Sequence, residues 1–230
     1  MALVAVIAGF LIFRQVQEGE QLMGTPKLLR KSFLWNEQVW KILSSNKRTS
    51  RAREAIAKDK EPRVNGMLGL ESPLNFENYE VEVVSGPNIL KLPLSAFKLI
   101  PKSESTTEFK CIEGWSEDMS FAGARFSDFI NFYDVGKKQD GSYYSYVGLE
   151  TPDGKYYVSI DMESMLHEQT ILTYEMNDRP LNLENGAPLR LLIPIKYGIK
   201  SLKRIGKIFF SDKRPRDYWA ERGYDWYSGL

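Results

Sequence analysis

The sequence predicts an α+β fold, on three observations. Short runs rich in β-branched and aromatic residues recur between turn signals: YEVEVV at 79–84, SYYSYVGLE at 142–150 and KYYVSI at 155–160. Short helix-compatible stretches fall among them without the regular alternation of a parallel α/β sheet. Aromatic residues make up 13% of the 230, with 12 Tyr and 12 Phe, which favours β-rich structure and a pocketed protein.

From the start of the chain, residues 1–13 read MALVAVIAGFLIF without a charge, followed by Arg14 and a polar run. A bilayer span needs roughly 20 apolar residues, and this run is shorter. A secretory signal opens with positive charge and ends at a small-residue cleavage site, and neither is present. A membrane anchor, an atypical signal and a buried core helix all stay open. The lack of a polar stripe favours the anchor. Residues 1–22 are therefore expected to be an apolar N-terminal anchor or signal-like segment. The protein is expected to be membrane-associated through it, in a periplasmic setting or alternatively a cytoplasmic one.

Residues 23–62 read as a basic helical and linker region. Phe33, Trp35, Val39, Trp40, Ile42 and Leu43 give a ragged apolar face. KRTSRAR at 47–53 suits a solvated linker or attraction to anionic headgroups. EAIAKDKE at 54–61 suits a short helix stopped by Pro62.

The main domain is expected over residues 63–230. A strand at 79–84 is turned by Gly86-Pro87. A short helix follows at 94–99, a strand at 107–111 and a helix at 126–132. The runs at 142–150 and 155–160 flank Pro152-Asp153-Gly154, the clearest hairpin signal in the chain. A helical turn is expected at 161–167. LRLLIP at 189–194 is apolar apart from Arg190, as in a strand buried on both faces. A last strand is expected at 207–210.

Composition narrows function. Lys plus Arg is 31 against 30 acidic residues, which does not suit a nucleic-acid binder. One Cys excludes an internal disulfide and any all-Cys metal site, and one His excludes a multi-histidine centre. The G-x-G-x-x-G, Walker A, G-x-S-x-G and H-E-x-x-H patterns are absent. His167 reads as a surface or helix-capping residue.

Cys111 closes a predicted strand and runs into Ile112-Glu113-Gly114-Trp115-Ser116. A lone Cys is commonly an inert buried thiol. Here Gly114 permits a tight turn and a close ligand approach. Downstream, Arg190, Lys196, Lys200 and Lys203 stand among glycine-containing turns, a pattern suited to a phosphate-bearing ligand. A soft thiolate with a basic cradle points to a soft metal carried on a phosphorylated organic cofactor.

CIEGWS with FAGA after it, ENGAPLRLLIPIKYGIKSLK and RPRDYWAERGYDWYSGL resemble the oxidoreductase molybdopterin-binding domain. This is the fold of sulfite oxidase and of the catalytic subunit of bacterial protein-methionine-sulfoxide reductase. The resemblance covers roughly residues 63–230. It implies several small sheets and short helices around one Mo-molybdopterin, with the Cys111 thiolate on the metal. By the same resemblance Asn65, Leu68, Gly69, Thr151, Asn185, Arg190, Ser201, Leu202 and Lys203 contact the cofactor. The spacing from Cys111 to Thr151 is longer here than in the family.

Sulfite oxidases of this family place arginines just after the metal cysteine. This chain has Glu113, Gly114 and Trp115 there, so the reductase-like branch is expected, with Glu113 turning anionic substrates away. That branch implies oxygen-atom transfer on a small S- or N-oxide. A monomer is expected, with electrons from a separate partner, a membrane cytochrome being the natural one. The twin-arginine leader of exported molybdoenzymes is not in the sequence. A sulfite oxidase-type enzyme and a non-catalytic, membrane-tethered pterin-binding module are the alternatives. Redox-active bound molybdenum separates the last from the others.

Overall fold

The computed structural model describes residues 2–22, 24–43, 49–52 and 61–230. The helix expected at 54–61 lies, but for Glu61, outside the described residues, as do Lys47, Arg48 and Arg53 of the basic run. The chain forms two compact units, Met1–Ser45 with Arg216–Tyr227, and Asn46–Pro215 with Ser228–Leu230.

In the first unit, α1 (Ala2–Glu18) precedes two short paired strands, β1 (Gln21–Leu22) and β2 (Thr25–Pro26), and then α2 (Lys27–Leu43). Eight large apolar side chains of α1 are exposed, from Leu3 to Phe13. At 17 residues α1 is about 25 Å long, short of the ~30 Å hydrocarbon core. Among the described residues no helix is long and apolar enough to cross a membrane. The unit closes on Arg30, whose buried guanidinium donates to Thr25 Oγ1 at 2.8 Å, to Tyr224 O at 3.3 Å and to Ala220 O. The aromatic tail packs within this unit: Trp219 stands edge-on to Tyr218 and Tyr224, with centroids at 5.2 and 5.1 Å.

The second unit holds β3 (Glu80–Ser85), β4 (Asn88–Pro93), α3 (Leu94–Phe97), β5 (Lys102–Lys110), β6 (Ser116–Arg125), α4 (Phe126–Phe132), β7 (Tyr146–Glu150), β8 (Tyr157–Asp161), α5 (Met162–Met165), β9 (Ile171–Met176), β10 (Arg179–Pro180), β11 (Arg190–Leu192) and β12 (Lys207–Ser211). They build two five-stranded sheets. One runs β4-β3-β12-β7-β8, with β12 parallel to β3 and antiparallel to β7. The other runs β10-β9-β6-β5, with β11 also on β9. Val81, Val83, Val147, Leu149, Val158, Ile160 and Ile208 alternate inward from the first sheet, each at most 1% exposed. Phe109, Met119, Phe121, Ile171, Met176 and Leu192 form the core of the second. Fully burying one such side chain contributes about 1.5–3 kcal/mol.

The α+β class, the short helices α3 and α4, and the hairpin β7–β8 agree with the sequence reading. Strands β4, β6 and β9 add to it, and β5 begins earlier than expected. His167 is not the surface residue that was one of its two readings. It is buried, and its Nδ1 accepts the Gln169 N–H at 3.2 Å, so it shapes the turn after α5 rather than facing water.

Candidate cofactor site

β5 and β6 pair from Lys102↔Ala124 to Lys110↔Ser116, and the five residues between them make the loop that carries Cys111. The Cys111 N–H donates to Trp115 O at 2.9 Å, and the Gly114 N–H to Cys111 O at 3.1 Å. Gly114 takes a φ of +89°, which a residue with a Cβ adopts only with strain. Trp115 leans on Phe109, centroids 6.4 Å apart, and so anchors the loop to the core. Cys111 is a free thiol and 7% exposed.

An irregular segment beginning at Glu61 reaches this loop. Asn65 Nδ2 donates to Cys111 Sγ at 3.6 Å and to Glu113 Oε2 at 3.1 Å. The same Glu113 oxygen accepts the Trp115 indole N–H at 3.2 Å. The carboxylate is thus held beside the sulfur, sharing one amide with it. The Arg63 guanidinium lies over the Trp115 ring, 4.6 Å from its centroid.

The turn before β11 supplies a second group. Arg190, buried, donates to Asn185 O at 3.1 Å and Ser201 O at 3.3 Å. Ser201 Oγ accepts the Ile193 N–H at 3.2 Å, and Leu202 O accepts the Leu191 N–H at 2.9 Å. Lys203 Nζ donates to Asn65 O, Gly66 O and Glu184 O at 2.7, 3.0 and 2.9 Å. Burial, with the neighbouring Arg190 charge, lowers the Lys203 pKa to about 8. Burial lowers that of Arg190 to about 10. Both are cations at neutral pH.

Thr151, at the end of β7, donates to Asp153 Oδ1 at 2.6 Å and accepts the Tyr156 N–H at 3.1 Å. Burial opposes charge on Asp153, yet hydrogen bonds from Thr151, the Lys155 amide and Ser72 hold its carboxyl below the usual range. Gly69 (φ +78°) presses on Thr151. A Cβ there would lie 2.4 Å from Thr151 Cγ2. Leu68, beside it, is half-buried.

The expected residues therefore meet in linked groups. Asn65 joins Cys111 and Glu113 to Lys203, Arg190 joins Asn185 to Ser201, and Gly69 touches Thr151. The basic cluster divides. Lys196 is buried against Asp161 at 3.3 Å, and Lys200 donates to Ser159 O at 3.2 Å, so these two serve β8 rather than a cradle. Arg63 and Arg204 were not anticipated. A guanidinium two residues before Asn65 and a cation next to Lys203 were the available signals.

Two buried donors here have no hydrogen-bond partner, Asn185 Nδ2 and Arg190 Nε. A buried unpaired donor costs about 1–3 kcal/mol, so a polar ligand is the expected remedy. Among the described residues no cluster of three or more His, Cys, Asp or Glu could hold a metal. One thiolate with nearby polar donors suits a metal that brings its other ligands with it. Residues 70–219 match the family model of the oxidoreductase molybdopterin binding domain. The chain belongs to this family.

Other comparisons agree. Over 136 residues the chain is 35% identical to the putative protein-methionine-sulfoxide reductase subunit YedZ1 of Azospira oryzae, covering 59% of this chain and 50% of that one. It is 28% identical over 183 residues to the protein-methionine-sulfoxide reductase catalytic subunit MsrP of Campylobacter jejuni, covering 71% and 60%. Mitochondrial sulfite oxidase of Drosophila melanogaster shares 27% identity over 178 residues, 67% of this chain and 31% of that one. The sulfane dehydrogenase SoxCD of Paracoccus pantotrophus shares the fold, with a TM-score of 0.54, 18% identity, and coverage of 62% and 40%. The chain thus spans half to about 60% of the first two of these curated relatives. Mo-molybdopterin is the cofactor of the oxidoreductase molybdopterin-binding domain, and the donor set described above fits it.

Proposed function

We propose that this chain is the molybdopterin-carrying catalytic part of an oxidoreductase that removes oxygen from small S- or N-oxides. The observation that carries the reading is the Cys111 loop: a free, nearly buried sulfur with an amide donor on it and a carboxylate, not an arginine, beside it. When bound, the cofactor supplies a molybdenum centre able to exchange an oxygen atom and two electrons with a substrate. Cys111 gives it one thiolate. Asn65 donates to that sulfur and orients it. Asn185 Nδ2 and Arg190 Nε offer the pterin ligand two unused donors. In this reading Gly69, Thr151, Ser201 and Leu202 stand around the cofactor, and Lys203 holds the backbone of Asn65 beside it. Glu113 disfavours anions next to the sulfur and leaves neutral oxides unopposed.

Sulfite oxidation is the second reading, favoured by one observation: Arg63 brings a positive charge over Trp115, 4.6 Å from the ring. Paired steady-state assays on one preparation decide between them. Reduction of dimethyl sulfoxide or trimethylamine N-oxide with an artificial donor, exceeding sulfite oxidation, is expected. The reverse ranking overturns the branch.

Electrons come, in this proposal, from a separate membrane cytochrome, and the chain acts as a monomer held at the membrane through α1. Support comes from the exposed apolar residues of α1 and from its charge-free first 13 residues. Full-length protein should float with phospholipid vesicles, and a variant lacking residues 1–13 should not. Equal flotation of both removes the role of α1.

A further inference from the structure

Residues 65–72 form no helix or strand, so their carbonyls have no ladder to pair with. Two adjacent cations meet four of them. Lys203 Nζ takes Asn65 O and Gly66 O at 2.7 and 3.0 Å, and Arg204 Nη1 takes Leu70 O and Ser72 O at 3.0 and 3.1 Å. Each cation is also tied to the turn before β11, Lys203 to Glu184 O at 2.9 Å and Arg204 Nε to Ala187 O at 3.2 Å. An ammonium has three hydrogens, and the three carbonyls on Lys203 use them all. Such charge-assisted bonds are roughly twice as strong as neutral ones.

The backbone is shaped for this pair. Gly186 has a φ of +101°, and a Cβ there would lie 2.9 Å from Lys203 Cβ and 3.0 Å from Arg204 N. Arg204 itself sits at φ +51°, a strained conformation that a non-glycine residue keeps only where its surroundings impose it. The far side of Asn65 meets Cys111 Sγ at 3.6 Å.

We propose that Lys203 and Arg204 are positioning residues that fasten residues 65–72 as a strap and so set the Asn65 amide on the Cys111 sulfur. Lys203 acts through Asn65, not by a side-chain contact with the cofactor phosphate. The consequence for cofactor retention rests on the molybdopterin reading, whereas the strap itself rests on geometry alone.

The test uses full-length protein as purified, with the variants Lys203→Met and Arg204→Lys. Amide hydrogen exchange is followed in peptides covering 63–72, with the β7–β8 hairpin as reference, and molybdenum is measured per chain. In Lys203→Met, exchange over 63–72 should quicken at least ~10-fold while β7–β8 is unchanged. Molybdenum content should fall, and the electron paramagnetic resonance signal of the remaining metal should shift, because the amide on its sulfur has moved. Arg204→Lys should quicken exchange in the same peptides less, and it keeps the test open if Lys203→Met folds poorly. Loss of molybdenum with unchanged exchange over 63–72 would show a direct phosphate contact and overturn the proposal. Equal quickening in every peptide would overturn it too, as general destabilisation. A wild-type protein without molybdenum would defeat the cofactor reading alone, and the exchange data would then decide the strap.

Discussion

The side-chain amide of Asn65 donates to the sulfur of Cys111 across 3.6 Å. A donor on a metal-bound thiolate draws electron density from the sulfur and raises the reduction potential of the metal. Asn65→Ala removes the donor without touching the ligand. Potentiometric titration of the loaded variant should give a lower molybdenum potential than wild type. An unchanged potential would show that the contact does no tuning.

Cys111 is the free thiol of the chain, and its sequence holds no second cysteine. Cys111→Ser substitutes a harder, weaker donor for a soft metal. The variant should lose redox turnover while its far-ultraviolet circular dichroism stays that of wild type, since the loop hydrogen bonds of residue 111 come from its backbone. Full turnover with serine would refute metal ligation here.

Glu113 and Arg63 bracket Trp115, one at its indole N–H and the other over its ring. They place opposite charges beside one loop. Glu113→Gln should move the ratio of sulfite to sulfoxide turnover toward sulfite by about tenfold, a change of about 1.4 kcal/mol. Arg63→Gln should move it the other way. Ratios that shift together, or not at all, would mean that neither charge reaches the substrate.

Arg190→Ala leaves Asn185 O and Ser201 O buried without their donor. An unsatisfied buried group costs about 1–3 kcal/mol, so urea unfolding should report a loss of roughly 2–4 kcal/mol. Molybdenum content should fall as well. Arg190→Lys should recover part of the stability but not the cofactor, because one ammonium cannot replace a planar fork. Recovery of both by lysine would argue that only charge matters.

Lys203 gives a dependence on pH opposite to that of a lysine stabilised by an acidic partner. Its folded pKa is lowered to about 8 from the ordinary 10.5, by burial first and Arg190 second, with Glu184 opposing. Below about pH 8 both folded and unfolded chains hold the proton, and the burial cost is complete. Between about 8 and 10.5 the unfolded chain binds more protons, so this group's contribution makes stability rise with pH. The unfolding free energy of wild type minus that of Lys203→Met should climb across that window and level off above it. A flat difference would place the folded pKa at its ordinary value.

The readable parts of the sequence were those whose chemistry is local. The Pro152-Asp153-Gly154 turn between aromatic runs marked β7 and β8, and the buried β11 showed as LRLLIP. β6 gave no such signal. Its buried positions include Ala122 and Ala124, and Gly123 brings its backbone against Leu172 at a register shift, so smallness there is demanded by a neighbour far along the chain. β5 was read only in its second half, because Lys102–Ser105 is polar where the strand lies at the sheet edge. In the site, Cys111 and the Asn185–Arg190 turn stood out by residue type. What sequence could not give was direction. Lys196, Lys200 and Lys203 look alike on paper, yet two turn to Asp161 and Ser159 and one to Asn65. The Arg63–Trp115 contact likewise depends on where an irregular segment is laid.

The central strand of the first sheet, β12, is the last strand of the unit along the chain, and it pairs Ile208 with both Val83 and Leu149. During synthesis the hairpins β3–β4 and β7–β8 are therefore both made before the strand that joins them. Each presents an unpaired edge to the cytosol or to a chaperone until residues 207–211 leave the ribosome. The Lys203–Arg204 anchor lies just before that strand, so the strap over Cys111 is also fastened late. A chain that stops short of residue 203 therefore lacks both the cations that hold the strap and the strand that joins the two hairpins.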